Sequence, residues 1–279
     1  MDTFEQRCRF DGQRVVVTGC ASGIGARVAA EVSRLGARVV GVDLRDPGRD
    51  AVCDEFVAMD QGDPAAIDTA LTRIGGTVDA LFNVAGVSSG IGDPSKVVAV
   101  NFLGLRRFTE AIVAGMAPGS AVVSVSSLAA SDYHENRWDT AGLLDTASFA
   151  DGLVWCADHP EIVADGGGYR LAKEALILYT MRRSVELAAA GIRINCTGPG
   201  VTDTPILDQL RTAYGPHYLD GIPQPLGRAA DPVEQATALL FLNSGAAAYI
   251  TGQVLWVDGG TLAARLADEL AGPAPATRQ

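Results

Sequence analysis

Seven short apolar runs, most of them rich in valine, recur along this chain with helical patterns between them. That alternation restricts the fold more than any other feature. The runs are RVVVTG (14–19), ARVVGVD (37–43), EFVAMD (55–60), VDALFNVAG (78–86), SAVVSVSS (120–127), IRINCTGPG (192–200) and QVLWVDGG (253–260). A strand that is apolar on both faces needs cover on both faces, which points to a parallel sheet lying between layers of helices. Helical patterns follow the first run and recur over roughly 64–74, 97–117 and 169–190. The predicted architecture is therefore α/β, a doubly wound parallel seven-stranded sheet in a single domain over 1–279. A Pro/Ala-rich tail, 264–279, is expected to fray.

Composition narrows the partners. With 48% apolar residues the chain can build a sizeable core. A net charge of −11 opposes binding to nucleic acid or to an anionic membrane surface. No apolar run approaches the length of a membrane span, and the charged start MDTFEQRCRF is unlike a secretory signal. The five cysteines (Cys8, Cys20, Cys53, Cys156, Cys196) are dispersed and odd in number, which fits a reducing cytoplasm. His134, His159 and His217 are scattered without ligand spacing, so no metal site is expected.

Two motifs carry chemistry. The first strand runs into Gly19-Cys20-Ala21-Ser22-Gly23-Ile24-Gly25 and then a helix. Glycines at such a junction let the backbone approach a pyrophosphate at a helix N-terminus, although a plain tight turn has the same composition. No Gly-Lys-Ser/Thr follows, which excludes a triphosphatase loop. Asp43 closes the second strand eighteen residues after Gly25. A carboxylate there can accept both ribose hydroxyls of adenosine and repels a 2′-phosphate, so NAD is expected over NADP. Arg45 lies nearby and weakens that inference, and Asp43 could also be an ordinary loop carboxylate. The second motif is Tyr169-x-x-x-Lys173, in a chain with only two lysines. That spacing puts phenol and ammonium on one helix face, where the tyrosine could trade protons with an alcohol or carbonyl. An incidental surface pair has the same spacing.

TGCASGIG, NVAG (83–86), Asn101, Ser126-Ser127, YRLAK (169–173) and PGVTDT (199–204) occur in an order and spacing that resemble the short-chain dehydrogenase/reductase family over about residues 12–262. The resemblance implies a Rossmann-like fold and a hydride-transferring enzyme that uses NAD. It makes Tyr169 the general acid/base, with a pKa lowered by Lys173 together with the positive nicotinamide, and Lys173 also the holder of the nicotinamide ribose. It makes Ser127 the donor to the substrate oxygen and Asn101 the holder of a relay water behind Lys173. Gly19, Ser22, Gly23, Ile24, Gly25, Asp43 and Leu44 would bind the adenosine and pyrophosphate. Asp60 and Gln61 would flank the adenine, Asn83, Ala85 and Gly86 would floor the site, and Pro199, Gly200, Thr202 and Thr204 would cradle the nicotinamide end. Alternatives stay open. Ser126 could replace Ser127, Asn101 could be a helix cap, and Asn83 could only bridge strands. Val84 stands where the family pattern has a second Asn.

The chain departs from that pattern between Ser127 and Tyr169, where 131–168 is a long insertion with eight acids and one Arg. It also carries Tyr133, Trp138, Phe149 and Trp155, and ends in Gly166-Gly167-Gly168, which looks like a hinge. A lid or wall for a hydrophobic, uncharged substrate is expected, with an interface element as the alternative. Together these features resemble the bacterial 3α-hydroxysteroid dehydrogenase/carbonyl reductase branch and coniferyl-alcohol dehydrogenases. The expected substrate is a hydrophobic alcohol of 3α-hydroxysteroid type or its ketone, or else a coniferyl or terpenoid alcohol. A homodimer or homotetramer is expected. The insertion is placed to obstruct one tetramer interface of the family and leave a dimer built on the C-terminal helix and strand. A non-catalytic NAD-binding sensor is the rival from another class. A serine hydrolase is excluded by the lack of Gly-x-Ser-x-Gly.

Overall fold

The computed structural model describes residues 2–48 and 52–271. In chain order the described elements are α1 (Phe4–Arg7), β1 (Arg14–Thr18), α2 (Gly23–Arg34), β2 (Arg38–Asp43), β3 (Glu55–Ala58), α3 (Pro64–Ile74), β4 (Ala80–Asn83), α4 (Pro94–Val98), α5 (Leu105–Val113), β5 (Ala121–Val125), α6 (Arg137–Leu144), α7 (Phe149–Asp158), α8 (Pro160–Ala164), α9 (Tyr169–Ala188), β6 (Arg193–Pro199), α10 (Pro205–Tyr214), α11 (Pro232–Asn243), β7 (Val254–Val257) and α12 (Thr261–Ala271). Every run read as a strand is one. The sheet has seven strands in the order β3-β2-β1-β4-β5-β6-β7, and each pairing between neighbours is parallel.

Period-two alternation sorts the strand side chains between two cores. Val16, Val40, Val42, Leu81, Val122 and Ile194 face one way and pack with residues of α3, α5 and α9. Val15, Val17, Val39, Phe82, Val123 and Val125 face the other way and pack with α2 and α11. Chain order reverses between β1 and β4, so a crevice opens there beyond the strand C-termini. α4 passes into a π-helical stretch, Ala99–Gly104, before α5. Such wide turns are common beside functional sites.

The insertion forms α6, α7 and α8 and belongs to the body of the domain. Leu143, Phe149, Cys156 and Val163 are buried in the first core. Arg106 is buried, and its guanidinium donates to the Leu143 and Leu144 carbonyls (both 3.4 Å), to the Ser148 carbonyl (3.3 Å) and to Thr146 Oγ1 (3.0 Å). It thus binds carbonyls at and just beyond the C-terminal end of α6, where backbone acceptors are concentrated. Asn136 donates to the fully buried Glu174 at 2.7 Å, and Arg170 binds Glu174 at 2.8 Å and Asp165 at 2.5 Å. These bonds attach both ends of the insertion to α9.

Two expectations change here. Gly166, Gly167 and Gly168 all have positive φ, yet they form a packed corner rather than a free hinge. A Cβ on Gly168 would stand 2.2 Å from the Pro94 carbonyl oxygen, and one on Gly167 would stand 2.8 Å from Ser89 Cβ. The tail expected to fray from 264 is helical through Ala271, because α12 turns Arg265 inward and continues the helical pattern. The rest of the tail, 272–279, lies outside the described residues.

Candidate active site

A cleft of about 920 Å³ lies over the C-terminal ends of the central strands. Gly19, Ser22, Gly23, Ile24, Gly25, Asp43, Leu44, Asp60, Gln61, Ala85, Gly86, Ser127, Tyr169, Lys173, Pro199, Gly200, Thr202 and Thr204 all line it. They come from seven separate stretches of sequence, and the sheet brings them together.

The glycine-rich turn is built for close approach. A Cβ on Gly19 would stand 2.8 Å from the Ala85 amide nitrogen, and one on Gly25 would stand 2.0 Å from the Gly19 carbonyl oxygen. Ser22 caps α2 without a side-chain hydrogen bond, so the amides of the first turn keep no side-chain partner at the cleft. Asp43 Oδ2 accepts from the Ala21 amide at 3.0 Å and Oδ1 from the Arg45 amide at 3.0 Å, which fixes the carboxylate at the cleft edge. Gln61 Nε2 donates to the Val100 carbonyl at 2.8 Å, while its buried Oε1 has no partner among the described residues. Bare helix amides, a fixed carboxylate and an orphaned acceptor suit a nicotinamide dinucleotide.

At the other end Tyr169 opens α9 and Lys173 follows one turn later. Lys173 Nζ donates to the Val125 carbonyl at 2.7 Å and lies 5.6 Å from the centre of the Tyr169 ring. Burial pushes the ammonium down to about 8. Burial raises the Tyr169 phenol, and the nearby Ser127 hydroxyl acts in the opposite direction. Among the side chains alone desolvation dominates, and the expected lowering of Tyr169 rests on Lys173 together with the positive charge of a bound nicotinamide.

Ser126 donates to the Lys173 carbonyl at 2.8 Å and is buried, so it braces α9. Ser127 Oγ instead accepts from the Ala129 amide at 3.1 Å and faces Tyr169. Both serines line the cleft, and the hydroxyl of Ser126 is the one committed to the backbone of α9. Asn101 is fully buried in the π-helical stretch and does not line the cleft. Its Oδ1 accepts from the Val87 amide and its Nδ2 donates to the Val87 carbonyl, both at 2.8 Å. A Cβ on Gly86 would meet Asn101 Oδ1 at 3.0 Å and Lys173 Nζ at 3.7 Å, so Asn101 stands next to Lys173. Asn83 is a correction. Its amide donates to Thr109 Oγ1 (2.8 Å) and Ser124 Oγ (3.2 Å), so it bridges β4 to α5 and β5 and leaves the cleft floor to its neighbours.

The insertion contributes only Ser131 and Asp132 to the cleft. Leu143, Phe149, Cys156 and Val163 go to the first core, Tyr133 packs on a smaller cluster and Trp138 is exposed, so the insertion's apolar residues do not line the cleft. The roof comes from 205–222, with Ile206, Leu207, Leu210, Tyr218, Leu219 and Ile222 turned inward. Tyr214 and Tyr218 stack at 4.7 Å, and Ser88 Oγ bonds Gln209 Oε1 at 3.3 Å. The spacing of apolar residues in PILDQLRTAYGPHYLDGIP was the available signal for this element.

Lys173 also supports a stability prediction. Below about pH 8 the fold holds a buried ammonium whose partner is a carbonyl, at a cost. That cost disappears as the pH rises from about 8 to the ordinary 10.5. Lys173→Met is expected to stabilise the ligand-free protein by about 1–3 kcal/mol at pH 7 while removing activity. The gain should fade across that alkaline window in melts taken at stepped pH.

Residues 13–138 match the short chain dehydrogenase family, and residues 158–261 match the family described as Enoyl-(Acyl carrier protein) reductase. The chain is 34% identical over 253 residues to the coniferyl-alcohol dehydrogenase of Pseudomonas sp. (strain HR199 / DSM 7063), covering 90% of this chain and 97% of that one. The chain belongs to the short-chain dehydrogenase/reductase family. Another of its members, the 3-alpha-hydroxysteroid dehydrogenase/carbonyl reductase of Comamonas testosteroni, is 30% identical over 88% of this chain and 95% of that one. The solved structure of the 3-alpha-hydroxysteroid dehydrogenase from Pseudomonas sp. B-0831 complexed with NADH superposes with a TM-score of 0.77 at 29% identity. It covers 91% of this chain and 98% of that one. The chain is thus a short-chain oxidoreductase acting on alcohols, of a family that binds a nicotinamide cofactor. No helix among the described residues is long and apolar enough to cross a membrane.

Proposed function

We propose that this short-chain dehydrogenase/reductase is an NAD-dependent enzyme of the cytoplasm that interconverts a hydrophobic secondary alcohol, of 3α-hydroxysteroid type, and its ketone. The observation that carries the reading is the meeting of Ser127, Tyr169 and Lys173 at one end of a cleft whose other end holds the fixed Asp43 carboxylate. When bound, the nicotinamide ring accepts or returns the hydride at the carbinol carbon. The protein does the rest. Ser127 and Tyr169 hold the substrate oxygen between two hydroxyls. In oxidation the Tyr169 phenolate takes the hydroxyl proton, and in reduction the phenol gives it back. Lys173 places positive charge beside that phenolate, and Asn101, next to Lys173, holds the Val87 backbone in the loop beyond β4. The roof residues exclude water and offer an apolar surface.

A coniferyl-type alcohol is the second reading, supported by the 34% identity to the coniferyl-alcohol dehydrogenase. Absorbance at 340 nm, with NAD or NADP against a 3α-hydroxysteroid, coniferyl alcohol and a cyclic terpenoid alcohol, separates the readings. NADH formation with the steroid supports the first. Silence across the panel counts against both.

Asp43 supports NAD over NADP. Its carboxylate sits where a ribose hydroxyl pair would be accepted and a phosphate repelled. Asp43→Ser is expected to cut the NAD preference by about 10- to 100-fold in kcat/KM, because one charged acceptor is lost and the exposed Arg45 remains. An unchanged cofactor ratio would show that Asp43 does not read the ribose.

A homodimer is also proposed. The insertion covers the outer faces of α9 and of the π-helical stretch that leads into α5. The edge strand β7 and its surroundings keep Val185, Tyr249, Leu255 and Leu266 exposed, an apolar strip suited to a second copy. Light scattering should give twice the 29.0 kDa chain mass. A tetramer would defeat this assignment.

A further inference from the structure

The substrate half of the cleft has largely apolar walls. Leu128, Ile206, Leu210, Tyr218, Leu219 and Ile222 form its walls. Arg265, on α12, also lines it. Its position follows from a chain of contacts. Tyr218 and Tyr169 line the same cleft. The segment beyond Tyr218 meets the start of α12, where Thr261 Oγ1 donates to the Pro223 carbonyl at 2.7 Å. Arg265 follows one helical turn later and is half-buried.

The guanidinium has acids within reach of its own helix. Asp268 and Glu269 stand three and four residues on, the usual spacing for helical ion pairs. Both are exposed, and Arg265 pairs with neither, nor with any other acid among the described residues. The rim acids of the cleft, Asp93 and Asp132, are occupied elsewhere. Asp93 Oδ1 accepts from the Lys96 amide at 3.0 Å, and Asp132 Oδ1 accepts from Ser131 Oγ at 3.1 Å. Apart from Lys173, the other cationic side chains lining the cleft are Lys96, beside Asp93, and Arg45, beside Asp43, and both are exposed. An arginine that faces an apolar pocket with its five donors uncommitted to any carboxylate fits a planar anion.

We propose that Arg265 anchors a carboxylate carried by the substrate at the end of its apolar body opposite the carbinol carbon. The substrate class becomes a hydroxylated cyclic carboxylic acid, which replaces the uncharged molecule expected from the acidic insertion. That expectation assumed the insertion walls the site, and only Ser131 and Asp132 reach it. The inference rests on the alcohol-dehydrogenase reading above.

The test compares each acid with its own methyl ester, on a short and a long scaffold: 4-hydroxycyclohexanecarboxylate, and a 3α-hydroxysteroid bearing a side-chain carboxylate. kcat/KM is measured with saturating NAD for wild type, Arg265→Gln, Arg265→Lys and Arg265→Glu. Wild type should favour the acid of at least one pair by about 10- to 100-fold, mostly through KM, as a charge-assisted bond predicts. The acid-to-ester ratio should fall towards one in Arg265→Gln, be partly kept in Arg265→Lys and invert in Arg265→Glu. Melting curves show whether each variant folds, and Arg265→Lys keeps the test open if Arg265→Glu does not. Turnover of the esters with no preference for the acids, or a preference that survives Arg265→Gln, overturns the Arg265 assignment and leaves the alcohol reading standing. No turnover of either member of either pair counts against the alcohol reading first, and the Arg265 assignment falls with it.

Discussion

Tyr169→Phe is expected to lower kcat by about 10²–10⁴-fold, the usual contribution of a positioned general acid/base. The substitution removes one hydroxyl and keeps the ring, so the turn into α9 and the cleft floor keep their packing. Cofactor binding, followed by quenching of protein fluorescence, should be unchanged. Stability should hold or rise slightly, since burial already raises the phenol pKa and the deleted group is poorly solvated. The same shift sets a pH trend for the wild type. Oxidation needs the phenolate, so its kcat/KM should climb through the alkaline range, and reduction, which needs the phenol, should fall there. Tyr169→Phe should flatten both limbs. Full turnover in the variant would remove the phenol from the reaction, whereas NAD binding without turnover in the wild type would favour the reading of a nucleotide sensor.

Much of this molecule was legible in its sequence because parallel strands buried on both faces must be apolar throughout. RVVVTG is apolar on both faces at its centre and SAVVSVSS and IRINCTGPG on at least one, and all three are strands. The cofactor residues were legible because backbone approach admits only glycine at Gly19 and Gly25, where a Cβ would collide with main-chain atoms. Asn83 was misjudged because an amide in a strand can face either side, and only the tertiary fold showed Thr109 and Ser124 waiting for it. The insertion was misjudged for a related reason. Phe149, Leu143 and Val163 announce burial but not the partner, and the same residues would suit a lid or a core. Arg106 grips the end of α6, and nothing in the sequence distinguishes it from the adjacent Arg107, which pairs with Asp68 at the surface. The inward turn of Arg265 was equally hidden, since Asp268 and Glu269 beside it suggest an ordinary surface ion pair.

Gly168→Ala tests how tightly the catalytic helix is set. Gly168 caps α9 in the left-handed region with φ 76 and immediately precedes Tyr169. A non-glycine residue there costs on the order of 1–3 kcal/mol in backbone strain alone. Its Cβ would also stand 2.2 Å from the Pro94 carbonyl oxygen, a main-chain atom that no rotamer change can move. Either α4 or the start of α9 must shift, and both border the cleft. Gly12 is the matched control, with φ 72 and nothing within 4 Å of an added methyl group. Gly12→Ala should show the strain alone, a fall in Tm of about 2–8 °C, with kcat intact. Gly168→Ala should melt lower still and lose about 10²-fold or more in kcat, since a misplacement of about 1 Å at a reacting group has that effect. The comparison separates position from strain. Equal losses in the two variants would mean that the corner yields easily, and that the geometry of Tyr169 is held by Ser126 and Arg170 farther along α9 rather than by the packed glycine at its start.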